Sequence, residues 1–276
     1  MAITSTIQLF AQKARVNPLI SFTRRLRSVI SHVKHGPPIV YVIWAALWLA
    51  YHFIWILLEA YWSSTHYSSP GKWIFLLTNL SYLALATFAF MDFIVCVFVF
   101  CLRTEIVRGE VKYLPWYIKI QWIAMNVCAH AALQVTVIYW IFLAHSTKAS
   151  SINKHGINLL YILLVICVSA KPIKFQHVYQ AALSSLFYVI VNAIYFGASG
   201  NILYPFLDWT KPTKAFGLSI AYIFVSTPLS FLLLFGLHKL KLYIYEKILR
   251  SFNRQQTLSA KEDEALETIK FENGHV

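Results

Sequence analysis

Six apolar runs of roughly bilayer-spanning length leave this chain very few architectures. A hydrocarbon core about 30 Å thick is crossed by roughly 20 helical residues. Inside it every backbone N–H and C=O must be paired within the protein, so a chain crosses as helices or as a closed barrel. The runs lie near 39–60, 73–102, 116–144, 155–171, 176–199 and 213–238, each far longer than a barrel strand. The fourth is the shortest. It joins the fifth through AKPIKFQ, where Pro172 and two lysines read as a tight turn between antiparallel helices. Only 13% of the residues are charged against 58% hydrophobic, about half the charged share of a soluble domain, so the chain lacks the polar groups to cover a globular surface. The expected fold class is all-α: a polytopic membrane protein built as a bundle of six transmembrane helices.

An even number of spans puts both termini on one side. Six Lys and Arg precede the first run, three lie in 103–115, two in the turn at 171–175 and seven after the last run, giving 18 on that side. The other side carries five: Lys72, Lys148, Lys154, Lys211 and Lys214. The positive-inside rule then makes both termini cytosolic, in the plasma membrane or the endoplasmic reticulum. Residues 1–38 form a basic segment in which Leu19, Phe22, Leu26, Val29, Ile30 and Val33 share one helical face, as in a helix lying on the inner membrane surface. No cleavable signal peptide is expected, because the first apolar run begins only near Ile39. Residues 39–240 form the membrane domain. The polar tail at 241–276, with its cluster of acids, is expected to be poorly ordered.

The net charge of +13 sits in segments flanking apolar runs, which fits membrane lipids as partners and not nucleic acid. All four cysteines fall inside apolar runs, so no disulfide framework or C-x-x-C metal site is indicated. The histidines are scattered over different spans and depths. No P-loop, G-x-G-x-x-G, H-E-x-x-H or G-x-S-x-G occurs, and neither metal nor cofactor is expected.

The informative residues are therefore polar side chains at membrane depth. Spans 2, 4 and 6 begin on the non-cytosolic side, which puts Thr78, His155 and the loop YPFLDW (204–209) on one face. Thr78 is expected about 7 Å into span 2, five residues past Trp73. His155 opens span 4, with Asn158 on the same helical face. Asn192 lies eight residues below the outer end of span 5. Asp92 is about 21 Å further along the helix of Thr78, too far to orient His155. Blander roles stay open: a threonine bonding back to its own turn, a histidine anchoring the interface, a loop in which Asp208 caps span 6. Asp92, Lys119 and His130 also admit a channel or transporter with a polar path.

GKWIFLLTN, HGINLLYILLVICVSAKPIKFQHVY and YPFLDWTKP resemble, in this order, the Rolling stone family of animal membrane proteins. That resemblance implies a role in cell fusion of the myoblast type or in differentiation, with a protein partner at the non-cytosolic loops. More distantly the chain is similar to the androgen-induced (FAR-17a/AIG-type) membrane hydrolases of fatty acid esters of hydroxy fatty acids. This second likeness implies Thr78 as nucleophile and His155 as base. Asn158 or Asp208 would orient the imidazole, and Asn79, Asn192 or Tyr204 would supply oxyanion donors.

The charge bias yields a direct expectation. Epitope tags at either terminus stay protected from protease added to sealed cells, and digestion of either tag from outside would overturn the orientation.

Overall fold

The computed structural model describes residues 39–66, 70–108, 111, 113–143, 148–169 and 171–273. The basic segment expected at 1–38 lies outside them. The described chain is helical, with no strand among the described residues. Six helices are long and apolar enough to cross a membrane: Ile39–Ser63, Leu77–Leu102, Trp116–Leu143, Ala149–Val168, Phe175–Ser199 and Pro212–Ile248, here spans 1 to 6. The chain divides between Phe235 and Gly236 into two compact units.

In the first unit the core is made of small and large apolar side chains at helical spacing. Span 2 contributes Tyr82, Leu85, Phe88 and Ala89, span 3 Met125, Cys128, Ala129 and Ala132, and span 4 Tyr161, Ile162, Val165 and Ile166. The alanines let the helices approach closely, which favours packing where lipid supplies no hydrophobic drive between helices. The opposite faces carry large apolar side chains that remain exposed, such as Leu83, Phe90 and Ile94 on span 2 and Leu183, Phe187 and Ile194 on span 5. These faces suit acyl chains.

Polar side chains point inward and are bonded between spans. The Asp92 carboxylate accepts from Lys171 Nζ and Gln121 Nε2, each at 2.5 Å, and from the Tyr41 hydroxyl at 3.1 Å. This lower-end cluster joins spans 1, 2 and 3 to the turn after span 4. Trp122 Nε1 fastens the same turn by donating to the Pro172 carbonyl at 2.5 Å. At mid-depth the His130 ring bonds Ser230 at 2.9 Å and Ser185 at 3.0 Å, and Gln134 reaches the same Ser230 at 3.1 Å. His130 thus does not bond Gln134 on its own helix; serines from spans 5 and 6 hold it. Asp92 and His130 are both engaged in joining helices.

Two span boundaries that bear on the candidate site differ from the sequence expectation. Span 2 starts at Leu77, not near 73, because Pro70–Phe75 forms a 3-10 turn and Leu76 is extended (φ −71, ψ 129). Thr78 therefore sits in the first helical turn. Span 4 begins at Ala149, six residues earlier than its apolar run. Its first turns carry Ser150, Asn153 and Lys154, which read as loop because they are polar, yet each finds a partner inside the bundle. In the second unit, helical backbone runs through the segment whose composition suggests little order, as far as Asn273. Its Ala, Glu, Leu and Lys are good helix formers.

Asp92→Ala leaves the Lys171 ammonium without its acceptor. It is expected to lower stability by about 3–5 kcal/mol, read as a fall in the melting temperature of the detergent-purified chain. Asp92→Asn combined with Lys171→Met should recover most of that loss. An unchanged melting temperature for Asp92→Ala would refute the clamp.

Candidate functional site

The end of the bundle that carries the span 1–2, 3–4 and 5–6 connections, here the upper end, holds a second buried ion pair. Lys154 Nζ donates to Glu59 Oε2 at 2.8 Å and to Asn79 Oδ1 at 3.2 Å. The Ser150 hydroxyl donates to the other Glu59 oxygen. The side chains of Glu59 and Lys154 are only 4% and 10% exposed, so the pair is withdrawn from solvent. Asn79 continues the network by donating Nδ2 to the Trp73 carbonyl at 2.9 Å, which ties the 3-10 turn to the head of span 2.

His155 lies one residue further along, inside a π-helical turn at Asn153–Ile157. The wider turn buries three consecutive side chains, Asn153, Lys154 and His155, with Asn158 below them. Successive residues of a regular α-helix are turned by about 100° from one another, so three in a row seldom face the same interior. The imidazole stacks flat on Tyr139, with ring centroids 3.6 Å apart and planes 2° from parallel. Tyr139 itself opens a π-helical turn, Tyr139–Leu143, at the end of span 3. Trp140 Nε1 donates to the His155 carbonyl at 3.2 Å. The imidazole Nδ1 is buried without a partner. Asn158 does not orient the ring: its Nδ2 donates to the Lys154 carbonyl at 3.0 Å.

Thr78 and His155 line one chamber of about 610 Å³, together with Glu59, Asn79, Lys154 and Tyr204. No hydrogen bond joins the two. The Tyr204 phenol lines the same chamber as Thr78. That phenol also accepts the Leu77 N–H at 3.0 Å. A helix start leaves its first N–H groups unpaired, and Leu76 provides no side-chain cap, so Tyr204 does the capping from across the bundle. Burial pushes the Tyr204 hydroxyl pKa up from its ordinary value. A second chamber of about 460 Å³ adjoins the first through Thr78, Tyr139, Leu143 and Tyr204. Its wall is otherwise largely apolar, with Val135, Ile138, Phe142, Val189, Leu207 and Leu229.

The remaining sequence candidates stand outside both chambers. Asn192 donates to the Tyr188 hydroxyl at 3.3 Å and accepts from Trp209 Nε1 at 2.8 Å, so it fastens the YPFLDW loop. Asp208 accepts from the Thr210 N–H at 2.9 Å and the Thr210 hydroxyl at 2.6 Å, and those bonds hold its carboxyl pKa below the ordinary range. It neither reaches His155 nor caps span 6 through its side chain: the cap residue is Lys211, without a side-chain cap bond, and its ammonium lies 3.8 Å from Asp208 Oδ2. Among the described residues no three His, Cys, Asp or Glu side chains gather as metal ligands.

A family model described as "Protein rolling stone" matches residues 38–256, the whole of this site included. The chain belongs to the Rolling stone family. It is 30% identical over 149 residues to the protein named rolling stone of Drosophila melanogaster, an alignment that covers 50% of this chain and 51% of that one. The chain thus spans about half the length of the curated relative it matches. No solved structure matches it. For this Rolling stone family chain the sequence missed Lys154, which counts there as a loop lysine, and the pairing partner Glu59. A carboxylate near the end of span 1 and a lysine beside HGIN were the available signal, because ionisable residues at membrane depth are rarely without a partner.

Tyr204→Phe removes the acceptor from the head of span 2, at a cost of about 1–3 kcal/mol locally. Hydrogen exchange at the Leu77 amide should rise about tenfold or more, with Leu85 to Phe88 unchanged. Unchanged exchange at Leu77 would refute the capping role.

Proposed function

We propose that this chain is an intramembrane hydrolase of lipid esters, with Thr78 as nucleophile and His155 as base. The observation that carries the reading is the meeting of a polar and an apolar chamber at Thr78, on a wall shared with His155. An ester between two long chains needs this combination: an apolar sleeve for the acyl chain, and a polar room where the carbonyl meets a nucleophile and water. The resemblance to hydrolases of fatty acid esters of hydroxy fatty acids names that substrate class. With both termini cytosolic, the chambers open toward the non-cytosolic leaflet.

A threonine hydroxyl attacks only when a base takes its proton. The His155 Nδ1 is buried without a partner, so in the tautomer protonated at Nε2 its lone pair is free for that proton. The Thr78 hydroxyl turns toward Nδ1, a tightening that apo sites commonly require. As Thr78 Oγ1 bonds to the carbonyl carbon, its proton passes to Nδ1. The bond to the alcohol oxygen then breaks, and that oxygen takes the proton from the imidazolium. Water, deprotonated by the same nitrogen, attacks the acyl carbon; the Thr78 oxygen leaves, takes that proton back from the imidazolium, and the fatty acid is released.

Purified full-length chain is expected to hydrolyse fatty acid esters of hydroxy fatty acids. Thr78→Ala, His155→Ala and the double variant should each lose at least about 10³-fold in turnover, because residues acting as one unit are strongly non-additive. Thr78→Ser should retain a measurable rate. Turnover unchanged in all three variants would remove this site. No turnover by the wild type on lipid esters would leave the non-catalytic reading, a membrane protein in cell fusion or differentiation.

A further inference from the structure

Acyl transfer places a full negative charge on the ester oxygen, and donors aimed at that charge commonly supply the largest single rate effect. Most of the usual sources near Thr78 are already occupied. The Leu77 N–H goes to Tyr204 at 3.0 Å. The Asn79 and Leu80 N–H groups go to the Leu76 carbonyl at 3.0 and 2.9 Å. The Leu77, Asn79 and Leu80 amides of the first turn of span 2 are therefore not free. The Asn79 side-chain amide is held by Trp73, and Asn192 is held by Tyr188 outside the chamber.

Lys154 differs. An ammonium carries three donors. Two are directed at Glu59 and Asn79, and the third has no acceptor among the described residues. The side chain forms part of the chamber wall that also holds Thr78 and His155. Withdrawing a charge from water costs several kcal/mol even when it is paired, so a buried Glu–Lys pair is an expensive way to join two helices. An ammonium kept charged beside a nucleophile returns that cost in the transition state.

We propose that Lys154 is the oxyanion donor of this site, with Glu59 and Asn79 as the positioning residues that keep its ammonium charged and aimed. This rests on the hydrolase reading. When Thr78 Oγ1 bonds to the carbonyl carbon, the C=O π pair moves onto oxygen, and the third Lys154 N–H donates to it. The proton stays on nitrogen throughout. The electron pair re-forms the carbonyl as the alcohol oxygen departs with the proton carried by His155.

The test uses the purified full-length chain and a long-chain acyl ester of 4-methylumbelliferone. Lys154→Met is expected to lower kcat by about 10²–10³-fold, with KM within about threefold. Lys154→Arg should restore part of the loss. Glu59→Gln combined with Lys154→Met removes both charges and leaves no unpaired carboxylate, so it decides the question if Lys154→Met alone does not fold. A long-chain alkyl trifluoromethyl ketone, whose threonine adduct carries the oxyanion, should bind the double variant more weakly by the same factor as kcat falls. Wild-type kcat and wild-type ketone affinity in the double variant, with Thr78→Ala inactive, would overturn the role of Lys154 and leave the hydrolase reading standing. No ester turnover by the wild type, or full turnover by Thr78→Ala, would overturn both.

Discussion

A lysine ammonium inside a membrane bundle persists only against a carboxylate, and the pairing of Lys154 with Glu59 sets the geometry of the whole upper end. It draws the polar first turns of span 4 into the bundle beside span 1. Through Asn79 it reaches the head of span 2 as well. Because that beginning is helical instead of lying in a loop, His155 is carried more than a turn inside the helix and faces the chamber that also holds Thr78. Without the pair, a span starting at His155 would place the imidazole at the bilayer surface.

The lower end repeats the device. Lys171, just beyond the end of span 4, pairs with Asp92 of span 2, and Tyr41 of span 1 adds its hydroxyl to the same carboxylate. Span 4, the shortest of the six, is thus bracketed by two lysines, each bound to a carboxylate from a neighbouring span. A short helix gains little from apolar contact alone, and two ion pairs at its ends determine its depth along the bundle axis. The serines, His130 and Gln134 at mid-depth join spans 3, 5 and 6 by hydrogen bonds. Polar side chains in this bundle therefore determine which helices meet, while apolar side chains fill the space between them.

Three π-helical turns occur among the described residues: Tyr139–Leu143, Asn153–Ile157 and Tyr222–Ser226. All three contribute to the chamber walls, through Tyr139 and Leu143, Lys154 and His155, and Tyr222 and Ser226. A π turn widens the helix and re-aims its side chains, and such turns gather at functional sites. Here they make room where regular helices would close on one another. The flat stack of His155 on Tyr139 is formed between two of them.

The six crossings were legible in the sequence because a bilayer demands about 20 apolar residues per helix, and that demand is local. The grouping of Thr78, His155 and Tyr204 at one end was legible too, since alternating spans return the chain to the same side. Distances and partners were not. Lys154 looked like a loop lysine because its burial depends on Glu59, ninety-five residues earlier in the chain. Tyr204 looked like an interfacial aromatic, yet its hydroxyl caps a helix that begins 127 residues before it. Asn192 and Asp208 belonged to the right layer, but side-chain direction sent one to Trp209 and the other to Thr210. Apolar periodicity states how far a helix runs and which face it buries. Which polar group meets which across the bundle follows from helix rotation, depth and local π turns, and only the packed tertiary structure determines those.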